Sequence, residues 1–331
     1  MKPPHRLVAL GVLLLLAVTG CAAGAGNGSR TASPTPSADR FAPVIDEDFP
    51  DPDVVAAPDG WRAFATGMSG LNVRIASSTD LSTWTVQRRD ALPTLPAWAT
   101  PGRTWAPDVS RRADGTWIMY VAAQDAASGR QCIGVATGPT IDGDFTPAGD
   151  RPIVCPVAEG GAIDPSTFQD TDGTRYLLWK TDGNCCGQDT WIEISRLSQD
   201  GLSLVGPATR LIKESLPWEG SVVEAPVLVR HDAEYALFYS ANAYGGDAYA
   251  VGVARATSLL GPYTKQPEPV LSTDLSGGRL HGPGGQDVVA TPNGDVLFFH
   301  AWDELFTYRA LHRAPLTWRP DGTVAVAGLD H

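Results

Sequence analysis

Short apolar runs of strand length, rich in aromatic and β-branched side chains, recur along the chain: Trp117 to Ala123, Tyr176 to Trp179, Tyr235 to Tyr239 and Val296 to Trp302. Turn residues bound each run. Beyond the N-terminal leader no window sustains a 3.6-residue period, so the pattern predicts an all-β domain. Five segments align with one another: FPDPDVVAAPDGWRAFATG from Phe49, TWAPDVSRRADGTWIMYVA from Thr104, AIDPSTFQDTDGTRYLLWK from Ala162, VVEAPVLVRHDAEYALFYS from Val222 and GGQDVVATPNGDVLFFHAW from Gly284. Each reads as a strand, a tight turn and a more apolar strand. Four of the five turns are Asp-Gly or Asn-Gly, the chemistry of a two-residue hairpin; only Asp232-Ala233 departs. Anchored on Pro52, Pro107, Pro165, Pro226 and Gln286, the copies are spaced by 55, 58, 61 and 60 residues. VRIASSTDLSTW from Val73, CIGVATGPTIDGDF from Cys132 and VGVARATSLLGPY from Val251 supply a third strand and an outer hairpin. Five units of four strands predict a five-bladed β-propeller over residues 41–331; a β-sandwich would not produce a fivefold repeat.

The leader changes the picture at the N-terminus. Lys2 and Arg6 precede an apolar run from Leu7 to Val18, which reads as a signal peptide over residues 1–20. Val18-Thr19-Gly20-Cys21 resembles a bacterial lipobox and predicts acylation of Cys21. Residues 21–40, mostly Gly, Ser, Thr, Pro and Ala, read as a disordered tether. The expected location is extracellular, lipid-anchored at the cell membrane through Cys21 and otherwise simply secreted, and the expected state is a monomer. Formal net charge is −12 with no basic cluster, which argues against nucleic acid and anionic membrane surfaces as partners. Of the remaining cysteines, Cys132 and Cys155 flank the Asp142-Gly143 turn by ten and twelve residues, so they are predicted to form a disulfide across an antiparallel pair. Adjacent Cys185 and Cys186 are read as a vicinal ring, free thiols or metal ligands, the metal being the weakest of the three.

In a propeller the start of each innermost strand faces the axis, so residues at matched places in different copies converge. Asp51, Asp164 and Glu224 stand just before or beside the anchoring prolines of copies one, three and four. Three acids gathered in a cleft repel one another, which raises one pKa and leaves another group ionised. Glycosidases need that division: a carboxylic acid to protonate the leaving oxygen and a carboxylate to activate water. Asp53 and Asp108 lie one residue past their prolines. There, alternation turns them into the blade, in structural hydrogen bonds.

FPDPDV, TWAPDV, AIDPSTFQDTDG, VVEAPVLV and HGPGGQDVV, in this order, resemble the blade motifs of glycoside hydrolase family 43, and the resemblance covers essentially all of residues 41–331. It implies an inverting hydrolase of arabinose- or xylose-containing polysaccharides, with Asp51 as general base, Glu224 as general acid and Asp164 raising the acid's pKa and orienting it. It also implies Trp105 as a sugar-stacking platform and Arg309 as a contact to sugar hydroxyls; His281 and His300 are further candidates for the site. The chemistry requires no cofactor. Many members carry Gly-Pro-Gly-His in blade five, where the His helps to hold a structural calcium ion; here residues 282–285 read Gly-Pro-Gly-Gly, which counts against the metal. Two alternatives stand beside this reading: a non-catalytic carbohydrate-binding lipoprotein, and a retaining five-bladed enzyme of fructosides.

Overall fold

The computed structural model describes residues 40–68 and 70–329; the expectations for the leader, Cys21 and the tether lie outside the described residues. Twenty strands form five four-stranded antiparallel sheets, each from one contiguous stretch of chain. Blade one comprises β1 (Asp53–Ala57), β2 (Gly60–Thr66), β3 (Val73–Ser78) and β4 (Trp84–Val86). Blade two comprises β5 (Ala99–Arg111), β6 (Trp117–Asp125), β7 (Gln131–Gly138) and β8 (Thr146–Pro147). Blade three comprises β9 (Ala162–Gln169), β10 (Arg175–Thr181), β11 (Trp191–Leu197) and β12 (Leu204–Lys213). Blade four comprises β13 (Val223–His231), β14 (Glu234–Ala241), β15 (Ala250–Ala256) and β16 (Thr264–Lys265). Blade five comprises β17 (His281–Thr291), β18 (Gly294–Trp302), β19 (Arg309–Trp318) and β20 (Val324–Val326). The fold is the five-bladed propeller that the repeat predicts.

The second strand of every blade is apolar on both faces because both faces are covered. On β6, Ile118 and Tyr120 enter the cluster shared with blade three, while Met119 and Val121 enter the one shared with blade one. On β14, Ala236 and Phe238 pack against blade five, and Leu237 and Tyr239 against blade three. Phe298 of β18 packs on blade one, closing the circle. Five clusters thus fill the five joints between blades, and burying each Phe or Leu contributes roughly 1.5–3 kcal/mol.

The ring closes through a repeated contact. The segment entering the next blade bridges back to the third strand of the last, as Val154 does to Ile133 and Leu271 to Val251. At the last joint the entering segment is the start of the domain: Ile45 bridges Leu311 on β19, with Leu311 N–H donating to Ile45 O at 3.0 Å. Cys132 and Cys155 are disulfide-bonded beside the Ile133–Val154 bridge, and so fasten blade two to the segment entering blade three. Cys185 and Cys186 form a vicinal disulfide in a short 3₁₀ turn after β10.

Candidate active site

Each inner strand is kinked at its anchor. Asp51, Ala106, Asp164, Ala225 and Gly285 occupy matched positions and have φ of 53°, 44°, 53°, 49° and 55°, in the left-handed region. Four of these five kinks carry a side chain and precede a proline, where such a φ is uncommon, and surrounding bonds hold them; the fifth is Gly285, before Gln286. The backbone N–H at the kink is caught by a side chain of the preceding blade in four joints. Asp51 N–H donates to His300 Nδ1 (3.1 Å), Ala106 N–H to Thr66 Oγ1 (2.9 Å), Ala225 N–H to Asp164 Oδ2 (2.8 Å) and Gly285 N–H to Ser240 Oγ (2.9 Å).

The kink corrects the sequence reading in two ways. Asp51 and Asp164 are kink residues, whereas Glu224 stands one residue earlier, its kink being Ala225; Trp105, half-buried before Ala106, is the residue matched to Glu224. The left-handed residue also resets alternation. Asp53 and Asp108 therefore line the axial cavity of about 40 Å³ together with Asp287, instead of turning into the blade.

Around the mouth, the second strands bring in His300, already a candidate from the sequence, and add Thr66, Lys180 and Ser240, which the sequence reading passed over. Pairing of Asp53 with Phe64, Asp108 with Tyr120, Ser166 with Leu178, Val227 with Phe238 and Asp287 with Phe298 places Thr66, Ala122, Lys180, Ser240 and His300 at one matched position. Four of the five are polar residues at the end of an apolar run, a signal that aligning the second strands would have exposed. Thr66 Oγ1 donates to Asp51 Oδ2 at 2.6 Å. Arg309 Nη1 lies 3.4 Å from Asp51 Oδ1. Lys180, completely buried, places Nζ 3.2 Å from Glu224 Oε2 and 3.1 Å from Asp182 Oδ1. Tyr249 donates from Oη to Glu224 Oε1 at 2.8 Å. Its ring fits only because residue 284 is Gly: a Cβ there would sit 2.1 Å from Tyr249 Cε1.

The acids of the mouth are held in different protonation states. Burial opposes the charge of Asp51, yet Arg309, His300 and Thr66 hold its carboxyl well below the usual carboxylate range. Asp164 is pushed up to about 8, first by burial and then by the neighbouring Glu224 charge, against the pull of Lys180. Lys180 stays an ammonium, since Glu224, Asp182 and Asp164 outweigh its desolvation. His300 is lowered by burial and by Arg309; its Nδ1 lies 3.1 Å from Asp51 N and 3.3 Å from Asp51 Oδ1. His281 is set apart from this group: its Nδ1 lies 2.8 Å from Asp247 Oδ1, and its ring packs on Phe306 at the rim.

The surroundings of residue 285 do not leave room for the metal-holding His of the resemblance. Among the described residues no three His, Cys, Asp or Glu side chains are grouped to hold an ion. At Gly285, where the resemblance would place a His, an added Cβ would lie 2.5 Å from His300 Nδ1 and 2.8 Å from Asp51 Oδ1, so those two side chains already fill the space.

Comparison with known proteins agrees with this geometry. The family model described as glycosyl hydrolases family 43 matches residues 41–324. The chain is 26% identical over 289 residues to an extracellular endo-α-(1→5)-L-arabinanase of Bacillus subtilis strain 168, covering 82% of this chain and 85% of that protein. Among solved structures, a thermostable family-43 glycoside hydrolase superposes with a TM-score of 0.75 at 26% identity, over 88% of this chain and 96% of the other. An endo-1,4-β-xylanase of Bacteroides thetaiotaomicron gives 0.74 at 27% identity, over 87% and 97%.

Proposed function

The chain belongs to glycosyl hydrolases family 43 and is a glycosidase, and from that premise we propose that it cleaves arabinose- or xylose-containing chains by single displacement with inversion. The observation that carries this reading is the division of labour at the mouth, where Asp51 is ionised while Asp164 keeps its proton beside Glu224. Asp51 takes a proton from water as that oxygen bonds to the anomeric carbon. Glu224 gives a proton to the glycosidic oxygen as the old carbon–oxygen bond breaks. Asp164 holds its proton beside Glu224 at neutral pH, and it also fixes the backbone next to Glu224 by accepting from the Ala225 N–H. Lys180 balances the remaining charge of the pair and keeps Glu224 in place together with Tyr249. Trp105 offers a ring face to the sugar, and Arg309 both holds Asp51 and faces the hydroxyls.

Arabinan is the favoured substrate, since the Bacillus relative is an arabinanase; xylan is the second reading, supported by the xylanase structure. That relative is named extracellular, which supports export of this chain, with Cys21 as its lipid-bearing residue and the propeller acting as a monomer. The test is nuclear magnetic resonance of the first-formed sugar released from debranched arabinan and from xylan. Inverted anomeric configuration with arabinan as the faster substrate is expected. Retention, the outcome of a fructoside-type double displacement, overturns the roles given to Asp51 and Glu224.

A further inference from the structure

One aromatic group at the mouth has no part in the chemistry above. Two loops meet there: residues 242–249, between β14 and β15, and residues 303–308, between β18 and β19. Trp302 Nε1 donates to Tyr244 O at 2.8 Å, and the two rings stack with centroids 6.5 Å apart and planes 19° from parallel. Phe306 leans on Trp302 at 5.9 Å, and His281 on Phe306 at 5.3 Å. Tyr244, Leu305 and Phe306 are 53%, 79% and 38% exposed, three large apolar side chains together on the surface.

The ledge is fixed in place. The Asp303 carboxylate accepts from the N–H groups of Leu305, Thr307 and Tyr308 and from the Thr307 hydroxyl. Tyr308 Oη donates to Asp46 at 2.6 Å. Phe306 has φ of +54°, a conformation that costs a bulky residue energy and that these bonds impose. Strain spent on holding an aromatic ring out in solvent asks for an occupant. Continuity with the reaction centre says which: the Arg309 guanidinium lies 5.2 Å from the Tyr244 ring centroid and 5.6 Å from that of Trp302, while its Nη1 touches Asp51. A single guanidinium therefore separates the ledge from the proposed general base. Asp247 and His281, hydrogen-bonded to each other at its edge, add a carboxylate and an imidazole that suit hydroxyl groups. Apolar ring faces bordered by such groups complement a sugar, with C–H bonds on one face and hydroxyls around its edge.

We propose that Tyr244, Trp302, Leu305 and Phe306 form a subsite that binds a further neutral pentosyl residue of the same chain, next along from the residue being cleaved. This rests on the glycosidase reading. The subsite makes recognition depend on chain length. The test uses the full propeller carrying Glu224→Gln, which spares the ledge, and measures calorimetric affinity for α-1,5-linked arabino-oligosaccharides of two to six residues. Adding Tyr244→Ala should weaken binding of the longer oligosaccharides about tenfold, the loss of one stacked ring, and that of the disaccharide less than threefold. Tyr244→Phe, which keeps the ring, should restore the longer-chain affinity, as a folding defect would not. Equal affinity of Tyr244→Ala and its parent for every length, in an enzyme whose wild type hydrolyses arabinan, overturns the subsite alone. Absence of binding at every length, with a wild type that releases no sugar, overturns the glycosidase reading and the subsite with it.

Discussion

Two trios of acids line the propeller axis, two or three repeat positions apart, and Asp51 at the mouth behaves in the opposite way to every acid of the deeper trio. At the mouth, Asp51, Asp164 and Glu224 meet full charges: Arg309 beside Asp51, and Lys180 beside Glu224. Deeper on the axis, Asp53, Asp108 and Asp287 meet backbone. Asp287 Oδ2 accepts from Val54 N–H at 2.8 Å, Asp53 Oδ2 from Val109 N–H at 2.9 Å, and Asp108 Oδ2 from Thr167 N–H at 2.8 Å. Each carboxylate of the deeper trio thus ties its own blade to the next at the same step of the repeat. Burial raises all three: Asp53 well above its ordinary value, Asp108 to about 6 and Asp287 to about 7. Where cations outweigh desolvation, as at Asp51, the acid is a reactive carboxylate. Where burial outweighs the partners, backbone amides joined at Asp108 by the Thr167 hydroxyl and the charge of Arg175, the acid is a strut that prefers its proton. Residue type does not distinguish the trios; their counter-ions do.

The comparison breaks most directly at equivalent amides. Asp51→Asn removes the group that deprotonates water and should lower kcat on every substrate by roughly 10²–10⁴ or more, with a lower thermal midpoint at neutral pH because Arg309 loses its counter-charge. Asp53→Asn, two residues on, keeps an acceptor for Val109 N–H and should stay within about threefold of wild-type kcat, because the proton it normally prefers is replaced by a neutral amide. Steady-state kinetics beside thermal melts checks both. Equal losses from the two substitutions would mean that the inner ring takes part in the chemistry and that the contrast is false.

Much of this contrast lay within reach of the sequence, and part of it did not. The fivefold repeat, the hairpin turns and the anchoring prolines are local patterns, so the propeller and the gathering of Asp51, Asp164 and Glu224 could be read from them. What escaped depends on the kink. A strict period of two through Asp51 and Ala106 turns Asp53 and Asp108 into the blade, but the left-handed residue at each kink breaks that period and turns them to the axis. The match of Glu224 to Asp51 was off by one residue for the same reason. His300 was legible as a candidate, and Thr66, Lys180 and Ser240 left a trace, polar residues closing apolar strands at one repeat position. Tyr249 left none, because it comes from a loop and is admitted only by the missing side chain at Gly284. Ring closure by residues 44–49 is equally invisible, since it pairs segments from opposite ends of the domain.

Lys180 sharpens the comparison, because it is the charge that separates the Asp164–Glu224 pair from an inner strut. Its ammonium lowers the pKa of Asp164, now about 8. Lys180→Met removes that pull, so Asp164 should hold its proton to higher pH, and the alkaline limb of the pH–rate profile should move up by about one unit. kcat should fall about tenfold as Glu224 loses one of its two anchors. Some stability will be lost as well, because Asp182 and Glu224 are left without their buried partner. A loss of packing alone would lower the rate at all pH values and leave the limb in place, which distinguishes the two roles.

The smallest effect tests the struts themselves. Asp108 and Asp287 have folded-state pKa values above the ordinary 3.8, so the stability they contribute is fully present below about pH 4 and is lost as pH rises through about 6 and 7. Above that window both are ionised in the buried axial cavity, and Oδ1 of Asp108 has no hydrogen-bond partner among the described protein atoms. An amide keeps the oxygen that Thr167 or Val54 needs and cannot ionise. Asp108→Asn should therefore melt within a degree or two of wild type at pH 4 and a few degrees higher at pH 8, and Asp287→Asn should do the same with its gain appearing at slightly higher pH. The mouth behaves in the opposite sense. Asp51 has a lowered pKa, so the stability it contributes is present above pH 4 and lost only as pH falls well below that. Asp51→Asn should consequently show no gain between pH 4 and pH 8. Melting curves of the three variants across that range would show two slopes for one residue type, and identical slopes would remove the distinction between a reactive carboxylate and a strut.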